Sequence, residues 1–170
     1  KAADLREAME NGLPMLFIDT AYQLLGRSYM DAAEKIIDGL GVFNFSTRKA
    51  KKRLTGNIIL SSNVTEKEST IVGFENHYGC TYFEDKNLQP FGQVIKGFGN
   101  NGEDGYEGLV YKNLIGSYLH GPLLPKNPEI ADFFIKAMAA RKGITLTAEL
   151  DNSIENFAHQ QITDKILARS

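Results

Sequence analysis

The chain has 170 residues, of which 42% are hydrophobic and 24% are charged, and its formal net charge is -2. This composition is typical of one globular domain, and the balanced charge excludes the strongly basic surface of most nucleic-acid-binding proteins. The single cysteine, Cys80, excludes an internal disulfide and a cysteine-rich metal site. Since no apolar stretch has the length of a membrane span and no signal-peptide pattern opens the chain, we predict a cytoplasmic protein.

The segment around Asp19 predicts a sharp turn between a strand and a helix. A short helix that includes Leu5 precedes four apolar residues, 15–18, which have the length and composition of a buried strand. Residues 22–25 then read as the first turn of a helix. Such a turn lies at the carboxyl end of a parallel strand, where α/β folds hold their reactive groups. Asp19 is therefore the first candidate functional residue.

The middle of the chain predicts mostly strands. The basic run at 48–53 predicts a solvated loop or a helix end, residues 61–68 predict a polar turn, and the glycine-rich segment at 97–105 predicts a loop. The predicted strands are 34–37, 42–45, 56–60, 69–74, 108–111 and 113–119, together with 81–83 and 93–95, which are expected to pair around a turn at 85–90.

Two helices are predicted to close the chain. Pro128 fits the first position of one helix, which Gly143 ends. The other covers 151–168 and has an apolar stripe that includes Ile154, Phe157 and Ile166. Helices at both ends and strands between them indicate a single α/β domain over residues 1–170, with an antiparallel portion in its middle.

Histidines at strand ends are the further candidates for chemistry. His120 follows the predicted strand 113–119, and His77 follows the strand that ends near Glu75. A histidine beside a strand-end nucleophile is the arrangement of covalent catalysis, because the imidazole must reach the proton of the nucleophile. The same pattern also fits a histidine that caps a turn.

Four segments carry a resemblance to a known family. They are YQLLG at 22–26, GFENH at 73–77, GFGNNGEDGYEG at 97–108 and GSYLHGPLLPKNP at 116–128. With them, residues 5–142 resemble the class I glutamine amidotransferases of the cobyric-acid-synthase-like (CobB/CobQ-like) branch. Within that branch the chain looks most like the GatD-type glutaminase subunits of lipid II isoglutaminyl synthases.

The resemblance implies a three-layer, flavodoxin-like sheet with a cysteine–histidine glutaminase site. Glutamine is the implied substrate, and its ammonia passes to a Mur-ligase-like synthetase subunit (MurT type) that amidates the D-glutamate of lipid II during peptidoglycan synthesis. His120 matches the general base, which later acts as the acid. Gln23, Arg53 and Asn76 match substrate-binding positions. No metal and no cofactor are predicted.

The chain departs from the family pattern at several positions. Asp19 stands where the nucleophilic cysteine is expected, and Thr20 stands where a glycine lets the backbone offer its N–H to an oxyanion. We also expect this sequence to lack the βα segment that precedes this helix in the family. Tyr78 and Cys80 replace a glycine and an arginine, and Pro122 leaves no third member of a triad to be named.

These departures leave three hypotheses about function. The first is a glutaminase subunit of the lipid II amidation type, or an amidotransferase domain of the cobyric-acid-synthase type. The second is a non-catalytic domain of the same fold that binds glutamine or a synthetase partner. In the third, Asp19 is a nucleophile toward a different electrophile. A carboxylate attacks an unactivated amide poorly, so we expect this chain not to hydrolyse glutamine.

Overall fold

A computed structural model describes residues 1–31, 33–65, 67–148 and 150–168. In chain order the elements are α1 (Ala2–Glu10), β1 (Met15–Ile18), α2 (Thr20–Gln23), β2 (Ser28–Met30), β3 (Ile36–Asp38), β4 (Phe45–Ser62), β5 (Ser69–Phe83), β6 (Gly92–Lys96), β7 (Tyr106–Glu107), β8 (Leu109–Tyr111), β9 (Leu114–Ser117), β10 (Leu119–His120), α3 (Leu123–Lys126), α4 (Pro128–Arg141) and α5 (Ser153–Leu167). The mixed α/β class predicted from the sequence is confirmed.

The strands form two sheets. The smaller sheet has the order β1-β9-β8, and its β1 and β9 run parallel, with Ile18 opposite Ser117. The larger sheet has seven strands, and its main path is β10-β5-β4-β2-β3, with β6 added to β4 and β7 added to β6. The chain crosses from the smaller sheet to the larger one between β9 and β10, at Tyr118.

The long hairpin of β4 and β5 is the largest difference from the strands predicted above. These two strands pair antiparallel along nearly their whole length, from Phe45 opposite Phe83 to Ser62 opposite Ser69. The predicted pairing of 81–83 with 93–95 is therefore wrong, because 81–83 pairs with the start of β4 and β6 pairs with its end. The polar turn predicted at 61–68 shortens to the connection between β4 and β5, and its Glu66 lies outside the described residues.

Three apolar clusters hold the elements together. One lies around Tyr22, Phe45 and Tyr118, and it fixes the start of α2 against both sheets. A second joins β4 and β9 to α4 through residues such as Ile58, Ile115 and Ile130. The third is small and packs Ile166 of α5 on the opposite side of the large sheet, against Ile59 and Val72.

The helices at the end of the chain follow the prediction in their bounds. α4 begins at Pro128, and Gly143 beyond its end has the positive φ of 65° that glycine favours. α5 begins at Ser153, whose N–H donates to Asp151 Oδ1 at 3.0 Å. Among the described residues, no helix is both long enough and apolar enough to cross a membrane.

Candidate functional site

The turn after β1 has the backbone of a strained elbow. Asp19 has φ 54° and ψ -118°, a region that non-glycine residues rarely occupy. Its N–H donates to Ser117 O at 2.9 Å, and its carbonyl accepts the Gln23 N–H at 3.0 Å. These two bonds anchor the turn to β9 on one side and to α2 on the other. They therefore help to stabilise the strained backbone conformation of Asp19.

The carboxylate of Asp19 is half-buried and unpaired. It does not cap α2. No side-chain hydrogen bond or ion pair within the described parts of the chain involves it.

His120 lies on β10, which follows β9, the parallel neighbour of β1. It stands opposite Phe74 of β5. His120 follows Ser117 by three residues, and the Ser117 carbonyl accepts the Asp19 N–H. His120 Nε2 is buried and has no hydrogen-bond partner among the described residues. Like Asp19, it therefore presents an unused polar atom.

Arg53 and Asn76 form a second cluster on the exposed face of the β4–β5 hairpin. Arg53 Nε donates to Asn76 Oδ1, and its Nη2 is 3.4 Å from the Asn76 carbonyl. Thr55 Oγ1 donates to the same Oδ1 at 3.1 Å, and the guanidinium lies 5.0 Å from the Tyr78 ring centroid. Two of the sequence-predicted site residues are thus brought into direct contact.

A bulge in β4 presents Arg53. The register with β5 shifts between Lys49, opposite Gly79, and Leu54, opposite His77. Because β4 uses more residues than β5 across this interval, the surplus residues leave the ladder. The basic run predicted as a solvated loop or helix end is therefore part of a strand, and its irregular pairing explains why Arg53 is exposed.

The register places His120 on the same face as this cluster. His120 is opposite Phe74, and Asn76 follows Phe74 by two residues on β5. Directly opposed residues, and residues two apart on a strand, point to one side of a sheet. His120 and Asn76 thus share one face, and Arg53 contacts Asn76 there. Asp19 follows β1, which belongs to the smaller sheet.

Gln23 is not part of that face. Its side chain is buried, and its Nε2 lies only 2.5 Å from where a Cβ on Gly79 would stand. Gln23 also forms a hydrogen bond with Tyr118. Tyr118 is buried, and its phenol oxygen lies 2.7 Å from Thr81 Oγ1. Gln23 supports the elbow from beneath, through its own N–H to Asp19 O.

A buried polar layer beneath the face was not anticipated from the sequence. Glu75 accepts the N–H groups of Phe98 and Gly99 at 2.7 and 2.9 Å, which ties down the glycine-rich loop. His77 donates from Nδ1 to Gly79 O at 2.6 Å, and its ring stacks on Tyr118 with centroids 3.8 Å apart. The alternation within residues 73–77 was the available signal, since it puts Glu75 and His77 on the side opposite Asn76.

Glu107 completes this layer and contacts the chain that leads to His120. It accepts Ser117 Oγ–H and the Tyr118 N–H, both at 2.7 Å. Burial, which penalises the charged form, raises the pKa of Glu107 to about 7 despite these two bonds. Its second oxygen has no partner among the described residues.

The candidate site residues lie apart from two large surface cavities. One cavity, of about 840 Å³, adjoins α1 and includes Arg6 and Tyr111, and the other, of about 920 Å³, adjoins α4 and includes Phe133. Neither is lined by Asp19, His120, Arg53 or Asn76. Within the described residues, no group of three or more acidic, histidine or cysteine side chains could hold a metal ion.

The architecture and the motifs agree with one protein family. The family model of the CobB/CobQ-like glutamine amidotransferase domain matches residues 1–128. The chain belongs to this family. The matched range covers the elbow, the hairpin and the histidine, so every candidate site residue lies within the glutamine amidotransferase domain.

Curated relatives fall into two groups. The GatD subunit of lipid II isoglutaminyl synthase (glutamine-hydrolyzing) from Staphylococcus aureus (strain N315) is 46% identical over 95% of this chain and 64% of its own length. The corresponding subunit from Streptococcus pneumoniae (strain ATCC BAA-255 / R6) is 39% identical over 77% of this chain and 50% of its own length. A probable cobyric acid synthase from Methanothermobacter thermautotrophicus is 30% identical over 89% of this chain. The chain therefore spans only half to two thirds of the GatD subunits.

Among solved structures, a chain of PurLQS from Thermotoga maritima has a similar fold. The TM-score is 0.54, and the match covers 82% of this chain and 66% of that one. Since the sequences are only 17% identical, the likeness concerns the fold alone. It supports the three-layer, flavodoxin-like architecture that the glutamine amidotransferase family implied.

Proposed function

We propose that this chain is the amidotransferase domain of a protein that works in lipid II amidation, and that as it stands it does not hydrolyse glutamine. The elbow carries the proposal. Its backbone keeps the strained conformation that exposes a nucleophile, but the side chain there is the carboxylate of Asp19. The scaffold is that of a glutaminase, and the reacting group is not.

Chemistry explains why this substitution removes turnover. A thiolate attacks the carbon of an amide and gives a thioester, whereas a carboxylate would have to give an anhydride, which is much less stable. In hydrolases that depend on a nucleophile and a histidine, loss of the nucleophile costs about a millionfold in rate. His120 then has no thiol to deprotonate, and its Nε2 has no hydrogen-bond partner among the residues that the structure describes.

A synthetase subunit of the Mur-ligase-like (MurT) type is the partner that fits this role. Two relatives, 46% and 39% identical, are subunits of lipid II isoglutaminyl synthase. Arg53 is exposed and Asn76 is partly exposed on the β4–β5 hairpin, which is consistent with a face that a second protein covers. The domain would then contribute binding or regulation to the assembly and would supply no ammonia of its own.

The test is ammonia release from glutamine with the synthetase subunit present. We expect none above background from the unaltered protein. Asp19→Cys combined with Thr20→Gly restores both the thiol and a flexible oxyanion turn, and it should raise the rate by at least about a hundredfold. The matched control is the same double variant with His120→Ala, which should return to background.

Two results would contradict the proposal. Glutamine hydrolysis by the unaltered protein at a rate close to that of the double variant would show that Asp19 supports turnover. Complete inactivity of the double variant, when circular dichroism shows it folded, would show that this face is not a glutaminase scaffold.

The cobyric-acid-synthase type is the second candidate. It is favoured by the 30% identity to the Methanothermobacter thermautotrophicus protein, against 46% to the Staphylococcus aureus GatD subunit. The higher identity, together with the greater share of the relative that is matched, favours lipid II amidation.

A further inference from the structure

Glu107 is a buried carboxylate that lies outside the candidate site and bonds to the segment that joins its two parts. Its side chain is fully buried, and it belongs to β7. Its Oε1 accepts the Ser117 hydroxyl and the Tyr118 N–H, both at 2.7 Å. Because one oxygen receives donors from two consecutive residues, this carboxylate restrains the side chain of the first and the backbone of the second.

The hydroxyl of Ser117 extends this restraint toward His120. Because its proton is donated to Glu107, its oxygen is free to accept the Leu119 N–H, at 3.0 Å. Leu119 and His120 together form β10, which pairs with β5 in the larger sheet. The entry of the chain into β10, and with it the position of His120, therefore depends on bonds that end at Glu107.

The carbonyl of Ser117 extends the same restraint to the elbow. It accepts the Asp19 N–H at 2.9 Å, so Asp19 and His120 are both connected to the segment 117–119. The exposed fraction is 0% for Ser117 and Tyr118 and 1% for Leu119. Water cannot replace a bond that is lost in such a segment, so its geometry depends on its protein partners.

Asn100 fixes the backbone on both sides of Glu107. Its N–H donates to Tyr106 O at 2.8 Å. Its side chain accepts the Gly108 N–H at 2.9 Å and donates to Gly108 O at 3.2 Å. These three bonds hold the residues before and after Glu107, so the carboxylate approaches the segment 117–119 from a fixed backbone.

Tyr22 closes a ring of contacts that returns to the elbow. Its hydroxyl donates to Asn100 Oδ1 at 3.2 Å, and it belongs to α2, three residues after Asp19. The connections thus run from α2 through Asn100 and Glu107 to Ser117, and from the Ser117 carbonyl back to Asp19. Glu107 is the charged member of this ring and the one that contacts the segment leading to His120.

We propose that Glu107 is a positioning residue, which sets where residue 19 stands relative to His120 by holding residues 117–119. Loss of its bonds changes the approach of a nucleophile at position 19 to the histidine and leaves Arg53 and Asn76 in place. The inference rests on the proposed function in one respect, since it takes His120 as the base of the site. The competing explanation is that Glu107 contributes to stability alone.

The test uses the Asp19→Cys/Thr20→Gly protein as a reporter variant and adds Ser117→Ala to it. This addition deletes the hydroxyl between Glu107 and Leu119 and keeps the Ser117 carbonyl. We expect kcat for glutamine hydrolysis to fall at least about tenfold, because small displacements of reacting groups are costly in rate. KM should stay within about twofold, since an effect confined to the reacting groups leaves substrate binding unchanged.

Ser62→Ala in the reporter variant is the matched control. Ser62 is also a buried serine, and its hydroxyl likewise donates to one acceptor, the Phe91 carbonyl, and accepts the N–H two residues on, that of Val64. It lies at the end of β4, outside the ring of contacts. A serine that matters only for stability should leave kcat and KM within about twofold of the reporter variant.

Two substitutions of Glu107 separate the acceptor oxygen from the rest of the side chain. Glu107→Ala removes both bonds and should lower kcat of the reporter variant at least as much as Ser117→Ala does. Glutamine has an oxygen that can accept both donors, so with Glu107→Gln kcat should stay within about threefold of the reporter variant. If Glu107→Ala does not fold, Ser117→Ala and Glu107→Gln decide between the two explanations.

The thiol introduced at position 19 gives a second readout that needs no turnover. A nearby histidine lowers the pKa of a thiol below its usual value of about 8.5, and the rate of alkylation by iodoacetamide as a function of pH measures this pKa. Ser117→Ala should raise it toward the usual value, and Ser62→Ala should not. Cys80 is buried, and its alkylation in the unaltered protein gives the background rate.

Three outcomes overturn the inference: an equal kcat with Ser117→Ala and with Ser62→Ala, a kcat with Glu107→Gln as low as with Glu107→Ala, or a thiol pKa that Ser117→Ala leaves unchanged. The proposed function is judged separately, by ammonia release from the reporter variant without further substitutions. A reporter variant that releases no ammonia removes that function, and its alkylation profile still decides whether Glu107 has a positioning role.

Discussion

At the scale of a residue, the backbone of Asp19 is costly. A non-glycine residue held at φ 54° and ψ -118° loses about 1–3 kcal/mol relative to an ordinary conformation, and glycine avoids most of this cost. Asp19→Gly should therefore raise the free energy of unfolding by about 1 kcal/mol relative to Asp19→Ala. The measurement is urea unfolding of both variants.

The alanine variant is the control because it removes the same carboxylate and keeps the steric conflict of a Cβ. The difference between the two variants isolates the backbone. If Asp19→Ala proved as stable as Asp19→Gly, the strain at the elbow would be absent in solution.

The sequence predicted the place of this residue but not its conformation. The apolar run 15–18 followed by a helical turn was enough to put Asp19 at a strand end. The positive φ depends on bonds to Ser117, about a hundred residues away along the chain, which no local pattern reveals. The burial of Gln23 beneath Gly79 is likewise a tertiary contact.

At the scale of an element, α5 differs most from its predicted packing. Its predicted apolar stripe includes Ile154, Phe157 and Ile166, but Ile154 is 79% exposed and Phe157 is 67% exposed, whereas Ile166 is 3% exposed. Only the second half of the helix reaches the large sheet, where Ile166 contacts the cluster of Ile59 and Val72. The spacing of these residues predicts that they lie on one side of the helix. It does not predict which part of that side packs against the sheet.

This difference leads to a paired prediction on one helix. Ile166→Ala should lower the free energy of unfolding by about 2–4 kcal/mol, because it leaves a cavity against the sheet. Phe157→Ala should change it by no more than about 0.5 kcal/mol, because the ring is largely in water. Thermal or urea unfolding measures both, and equal losses would mean that α5 packs elsewhere in solution.

The β4 strand shows a second limit of prediction. Its basic run has no strand-forming pattern of its own and is held in the sheet by β5, which pairs on both sides of the bulge. The segments 56–60 and 69–74 were predicted as strands because each has a run of apolar residues, and Ile58, Ile71 and Val72 among them are buried. The bulge that exposes Arg53 is a mismatch between two strands, so neither strand read alone predicts it.

At the scale of the whole molecule, Glu107 connects the two sheets. It belongs to β7 of the larger sheet and binds Ser117 of the smaller one, along with the Tyr118 N–H between them. Burial raises its pKa from 4.5 to about 7. Below about pH 4.5, Glu107 is protonated in both the folded and the unfolded states. Between about pH 4.5 and about pH 7, it is protonated only in the folded state. Stability therefore falls as the pH rises through this window, by about 3 kcal/mol in all.

Glu107→Gln tests this dependence, since glutamine keeps an acceptor for Ser117 and does not titrate. The unfolding free energy of the variant minus that of the unaltered protein should rise between about pH 5 and about pH 8 and then level off. Urea unfolding across this range measures it. A difference that stays constant with pH would show that Glu107 titrates as an ordinary exposed carboxylate does.

The crossing of the chain at Tyr118 has a mechanical consequence. Asp19 is anchored to the smaller sheet through Ser117, whereas His120 is paired into the larger sheet through Phe74. The separation of the two groups is therefore set by how one sheet sits on the other, and Glu107 fixes that arrangement through its bonds to Ser117 Oγ and the Tyr118 N–H.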